Sequence, residues 1–267
     1  MAQVPVDSVA DRSPGRALLG PVIAVLDGIG MTVSLTAQTV AWLFRPPFRF
    51  GQVLSAMEFL GVGSIFIIVL TGTFSGMVLA LQMFNTLKRL QSEGLVGVIV
   101  AIALAREMSP VFAALMVTAR VGSAWAAEIG NMRITEQIDA ITTMGVNPVQ
   151  YLISPRVLSS TLMLPLLCVV YTCVGMAGAW LVAVDWLGVD PGVFISKIKL
   201  YALPKDFFMG EIKAAVFGFL IAVISCRQGY QASGGARGVG IATTRAVVQS
   251  AVAILVANYL LTSWLTD

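Results

Sequence analysis

Between Arg106 and Leu158 the chain reads REMSPVFAALMVTARVGSAWAAEIGNMRITEQIDAITTMGVNPVQYLISPRVL. An apolar helix carrying Arg106 and Glu107 continues past Arg120 and Glu128, then gives way near Ile134 to a short polar segment before apolar sequence resumes at Val157. A helix of about 20 apolar residues crosses the hydrocarbon of a bilayer, whereas the segment from Ile134 to Gly145 is too short and too polar to do so. The pattern is that of a membrane bundle with a small helix displayed on one side.

The rest of the chain agrees. It is 57% apolar and only 12% charged, about half the charge of an average soluble domain, which makes it an integral membrane protein. Five apolar segments are expected to span: Met57 to Phe84, Gly94 to Ala119 with helix continuing to about Gly130, Val157 to Trp186, Met209 to Ile224, and Val247 to Leu265. At 1.5 Å per residue the second is roughly 55 Å long, so its last turns project into water, with Arg120 and Glu128 marking the exit. Residues 17–44 are interrupted by Asp27, Gly28, Gly30 and Gln38 and stopped by Arg45-Pro46-Pro47, which predicts an interfacial or half-inserted helix behind a cytosolic tail, with a sixth span as the alternative. The fold class is therefore all-α integral membrane: five transmembrane helices, an N-terminal interfacial helix in residues 1–50, and a short cytoplasmic helix within the transmembrane domain of residues 51–267.

Arginine and lysine near span ends set orientation. With the N-terminus inside, Arg12, Arg16, Arg45, Arg49, Arg120, Arg133, Arg156, Arg227, Arg237 and Arg245 are cytoplasmic, while Lys88, Arg89, Lys197, Lys199, Lys205 and Lys213 are outside. This places the Glu136 segment in the cytoplasm and the C-terminus outside, and makes the connection from Gly188 to Lys213 a surface-lying outer segment. Small residues four apart, at Gly72 and Gly76, at Gly122, Ala126 and Gly130, and at Gly175 and Ala179, predict close helix packing.

Several chemistries are excluded or unsupported. Histidine is absent, which removes His triads, His metal sites and His proton relays. Cys168, Cys173 and Cys226 lack metal-ligand spacing and read as packing residues, so no metal is expected. The net charge of +3 is dispersed and gives no nucleic-acid surface. The stretch Cys226 to Gly240, CRQGYQASGGARGVG, has the glycines of a phosphate loop but neither the P-loop spacing nor a dinucleotide fingerprint, and reads as a flexible cytoplasmic turn.

Two constellations remain. In the segment Ile134 to Gly145, Thr135 is expected to cap a helix of about nine residues. Glu136 lies in its first turn and Gly145 ends it in a left-handed conformation. Ile134, Ile138 and Ile141 form one face, and Glu136, Asp139 and Thr143 the other. Asn147-Pro148 and Ser154-Pro155 look like two further caps, the second launching the third span. The other constellation is Arg106 and Glu107, each costing a few kcal/mol inside the membrane unless compensated. As sequence neighbours they point in different directions, so each needs its own partner: another helix, water or a charged ligand. Phe74, Met77, Leu81 and Phe84 follow one another at near-helical spacing in the first span, a pattern commoner in cores than in ligand sites.

Glu136-Gln137-Ile138-Asp139-Ala140 followed by Met144-Gly145 and Pro148, Arg106-Glu107 followed by Pro110, and Ala242 to Val248 (ATTRAVV) together resemble the MlaE/YrbE permease family. These are the membrane subunits of ABC transporters that move lipids with MCE-domain partners. The resemblance covers Met57 to Thr262. It implies a homodimer enclosing a lipid cavity, a cytosolic ATPase that binds the ATP and Mg, an MCE-domain protein outside, and residence in a bacterial inner membrane. Glu136, Gln137, Asp139, Ala140 and Gly145 are then the ATPase-coupling residues. Arg106 and Glu107 lie beside the lipid cavity, with Phe74, Met77 and Leu81 as candidate lipid contacts, and the Gly-rich stretch becomes a second cytoplasmic contact. The chain itself is expected to be non-catalytic. It carries Met108-Ser109 where the family often has Leu-Gly, and Asn258 where Asp is common. The alternative from the residues alone is an ion-coupled carrier or intramembrane enzyme using Arg106, Glu107 and Glu58.

Overall fold

The computed structural model describes residues 50–266 and, ahead of them, only the helical positions 30, 36–39 and 41–42. The expected tail and interfacial helix therefore lie for the most part outside the described residues. Within the described residues 50–266 seven helices follow one another: α1 (Phe50–Lys88), α2 (Glu93–Ile134), α3 (Gln137–Thr143), α4 (Val149–Trp186), α5 (Pro191–Tyr201), α6 (Pro204–Tyr230) and α7 (Gly235–Thr266). Among the described residues five of them, α1, α2, α4, α6 and α7, are long and apolar enough to cross a membrane, as expected.

The spans are longer than hydropathy drew them. α6 begins at Pro204, where the proline ring suits a first helical position and Asp206 Oδ2 accepts the Leu203 N–H at 3.0 Å. Lys213 accordingly belongs inside α6, where it is buried, and not in an outer connection. The outer segment is also more than surface-lying. α5 is capped by Asp190, whose Oδ1 accepts Val193 N–H at 2.8 Å, and Phe194 is driven into the bundle, edge-on to Trp180 at 5.3 Å and tight against Gly97. The Gly-rich stretch is corrected too: most of it is helix, and the turn is confined to residues 231–234, with Gly234 at φ +86°.

α1 packs mainly on α4. Leu60, Ser64, Ile68, Gly72, Gly76, Ala80 and Phe84, spaced by four, are all buried on one stripe. Gly72 and Gly76 meet Tyr171 and Gly175 of α4 backbone to backbone, which is the close approach that small residues permit in membranes. The opposite face of α1 is apolar and exposed, as expected of a surface that meets lipid or another subunit. α6 uses glycine in the same way, bringing Gly210 to Ala105 O of α2 and Gly218 to Ser160 O of α4.

α2 is not a uniform α-helix. It widens into π turns at Leu104–Met108 and Thr118–Gly122, the turns that hold Arg106 and Glu107 and, lower down, Arg120. Such turns are uncommon and frequently mark functional positions.

Candidate functional site

The first site is the short helix α3. Thr135 is not its cap: its hydroxyl donates back to Asn131 O at 2.8 Å and closes α2. Glu136 takes the N-cap place instead, in a left-handed conformation at φ +59° with its N–H on Arg133 O. The helix is consequently Gln137–Thr143, two residues shorter than expected. Residues 135 and 136 form the turn between α2 and α3, and Glu136 takes its positive φ there. At the far end Gly145, at φ +78°, closes α3 as expected, with its N–H on Thr142 O and the Val146 N–H on Ile141 O.

Burial divides the faces as the periodicity predicts. Ile138 is 1% exposed, Ile134 and Ile141 are half-buried, and Glu136, Gln137, Asp139, Ala140, Thr143 and Gly145 are exposed. Met144 stands out into solvent at 71% exposure beside them. Asp139 is steadied by Arg133 at 2.7 Å; both are exposed, so the pair orients more than it stabilises. Asn147 Oδ1 caps the next element by accepting Val149 N–H at 2.9 Å. Ser154-Pro155, however, is not a cap: the regular α-helical part of α4 does begin at Ser154 with Pro155 in its first turn, but the chain is already helical through the π turn at Val149–Ile153, and Ser154 Oγ donates back to Val149 O.

The second site answers what compensates Arg106 and Glu107. Both find partners on α6. Arg106 Nε donates to Asp206 Oδ1 at 2.7 Å, and Nη2 reaches the same oxygen. Lys213 Nζ donates to Glu107 Oε1 at 2.6 Å, to Thr262 Oγ1 at 2.8 Å and to Arg106 O at 3.0 Å. That carbonyl has capacity because Pro110, four residues on, has no N–H to offer it. Asn258 Nδ2 donates to Glu107 Oε2 at 3.0 Å and the Thr262 hydroxyl to Oε1 at 3.2 Å. The cluster thus ties α2, α6 and α7. Asp206 and Lys213 are each 2% exposed, while Arg106 and Glu107 keep 38% and 41%, so each pair has a buried member and a member that reaches an open surface. Ser109, in the family-variant dipeptide, is fully buried and accepts the Thr172 hydroxyl of α4 at 2.7 Å.

Asp206, Lys213 and Thr262 were not anticipated as partners. Two opposite charges seven residues apart fall on one helical face two turns apart, a signal that becomes legible once α6 is drawn from Pro204. Asn258 serves as a neutral donor to Glu107, so this position takes part in the cluster without a charge. Of the first-span candidates, Phe74 and Leu81 lie on the exposed face of α1 and Met77 is half-buried against the core, whereas Phe84 belongs to the stripe on α4. Glu58 is exposed on α1. Among the described residues no group of three or more His, Cys, Asp and Glu is arranged to hold a metal.

The profile of the family described as Permease MlaE matches residues 53–264. A probable ABC transporter permease protein of Rickettsia bellii is 39% identical over 240 residues, covering 90% of this chain and 93% of the relative. The protein TRIGALACTOSYLDIACYLGLYCEROL 1, chloroplastic, of Arabidopsis thaliana is 37% identical over 236 residues, 88% of this chain and 67% of the relative. The intermembrane phospholipid transport system permease protein MlaE of Haemophilus influenzae is 37% identical over 226 residues, 84% of this chain and 87% of the relative.

Proposed function

Because the chain belongs to the MlaE permease family, we propose that it is the membrane subunit of an ABC transporter moving phospholipid-like lipids between membranes, driven by a separate ATPase that grips α3. The observation that carries this reading is the division of α3. Ile138 is seated in the bundle while Glu136, Gln137, Asp139 and Ala140 are offered to solvent. A helix fixed on one side and bare on the other transmits displacement, because force on the exposed face moves α2 and α4, which it joins. ATP and Mg belong to the partner, and this chain does the mechanical part.

Lipid handling is assigned to the face where Arg106 and Glu107 emerge. Their half-exposed ends present a guanidinium and a carboxylate at membrane depth, and the buried Asp206 and Lys213 hold both in place. Phe74 and Leu81 point away from their own bundle, so they would share an apolar cavity only when a second copy packs beside α1. A homodimer in a bacterial inner membrane, N-terminus inside, with an MCE-domain protein at the outer face, completes the proposed assembly.

Glu136→Lys combined with Asp139→Lys is expected to cost at least tenfold in association with the ATPase, since two favourable charges become two repulsive ones, while leaving the bundle intact because both side chains are exposed. Affinity purification from the native membrane with mass spectrometry of proteins and lipids measures this. Equal ATPase recovery with the variant would sink the coupling assignment, and transport on an ion gradient without any ATPase would revive the carrier alternative.

A further inference from the structure

The exposed face of α1 carries a regular pattern of its own. Phe59, Val62, Phe66 and Val69 are all exposed, Val62 and Phe66 at 67% and 77%, and they recur at spacings of three, four and three. That is the heptad spacing by which one helix seats against another. With Phe59 and Phe66 at a positions and Val62 and Val69 at d positions, Glu58 holds the flanking g position and Gly63 the flanking e position. Glu58 is exposed between Leu54 and Val62, both exposed as well, and among the described residues it has no cationic partner.

Gly63 has no side chain to occupy the other flank, and Arg120 of the π turn Thr118–Gly122 takes its place. Its Nη1 donates to Phe59 O and to Ser64 Oγ, each at 3.1 Å, and its guanidinium fills the space that a Cβ on Gly63 would need. The same group sits 5.1 Å from the centre of the Phe59 ring. Among the described residues no carboxylate pairs with it, and two neutral acceptors on one nitrogen leave most of its five donors unspent. Uncompensated charge at membrane depth is expensive. One face of α1 therefore shows an apolar seam with an unmatched acid on one flank and an unmatched cation on the other, at the same depth, which makes the patch complementary to itself.

Two copies in one membrane share an orientation, so a twofold axis between them runs along the membrane normal and leaves their α1 helices parallel. In parallel heptad packing the g flank of one helix faces the e flank of the other, where opposite charges pair and set partner choice. We propose that a second copy of the chain docks on this face, α1 against α1, with Glu58 of each copy paired to the partner's Arg120. The apolar seam and both unmatched charges are then covered by one symmetric contact. The contact rests on the homodimer proposed above and specifies where it forms.

The test uses two differently tagged copies of the full chain, produced together in the native membrane and purified in mild detergent, and reads the fraction of one tag recovered with the other. Glu58→Arg places like charges at both ion pairs of a self-associated dimer, and so does Arg120→Glu, whereas a mixed dimer of the two variants has opposite charges at both. Each variant is expected to self-associate about tenfold or more weakly than the native chain, the scale of like charges brought together, while the mixed dimer returns to the native level. A role for Arg120 confined to its own chain produces no such preference. Should Arg120→Glu not accumulate, Phe66→Cys on the seam is expected to crosslink to itself on oxidation and Val252→Cys on the exposed face of α7 is not, both with Cys173→Ser to remove the exposed native thiol. Native-level self-association of Glu58→Arg, or a mixed dimer no stronger than the self-associated ones, overturns the contact and leaves the face to lipid or another subunit. Crosslinking at Val252 in place of Phe66 overturns the contact but keeps a homodimer through another face, and absence of self-association in the native chain overturns both.

Discussion

Lys213→Ala is expected to destabilise the bundle by about 3 kcal/mol, read as a shift in denaturant midpoint of the detergent-purified chain. The lysine is 2% exposed and makes three hydrogen bonds to two other helices, to Glu107 Oε1, Arg106 O and Thr262 Oγ1. Its removal leaves the Glu107 carboxylate with only the neutral donors Asn258 and Thr262. Breaking a buried pair by deleting one partner costs about 3–5 kcal/mol, and the low end applies because Glu107 retains 41% exposure and recovers some hydration. The discriminating comparison is Lys213→Met, alone and with Glu107→Gln. If the loss arises from an orphaned carboxylate, neutralising it restores part of the stability, with a coupling of about 1–3 kcal/mol. Strict additivity would show instead that the lysine acts only by filling space.

The same cluster shows where sequence stops short of structure. Five spans were legible because each is an apolar run long enough to cross a bilayer, and the need of Arg106 and Glu107 for separate partners followed from their adjacency on one helix. The partners were not legible: Asp206 and Lys213 lie 100 and 106 residues away, a hydropathy boundary at Met209 turned the first turn of α6 into loop, and counting Lys213 with the connection from Gly188 made it an outer cation. Charges that are paired inside a bundle look, in one dimension, like charges that are solvated. The two faces of α3 and its closure at Gly145 were readable from periodicity and one glycine. Its start was not, since a Thr before a Glu is the ordinary capping order, and it is the turn after α2 that holds Glu136 at positive φ. The π turns have no local signal of their own; they are adjustments to neighbours that the chain meets only after folding.

The small-residue spacing carries the other large effect. Gly76→Val is expected to cost about 3 kcal/mol or to prevent the chain from accumulating in the membrane. A Cβ at Gly76 would lie 1.9 Å from Gly175 O and 2.8 Å from its Cα, so the obstruction is the backbone of α4, which cannot rotate away as a side chain can. To admit the valine, α1 and α4 must separate along a stripe that runs from Leu60 to Phe84, and overpacking of this kind typically costs about 1–3 kcal/mol even where side chains alone must yield. Separation also forfeits the dispersion contacts that hold helices together in lipid, where no hydrophobic effect drives them into contact. Gly51→Ala, at a glycine with open space around it, is the matched control and should be neutral or slightly stabilising through helix propensity. Gly61→Ala lies between the two, because the atom it meets is the terminal methyl of Met163, free to swing aside. An ordering of losses with Gly76 far above Gly61 and Gly51 near zero, measured by membrane yield and unfolding in detergent, is what backbone contact between α1 and α4 requires. Equal losses at all three would mean that the helices are not in contact at Gly76.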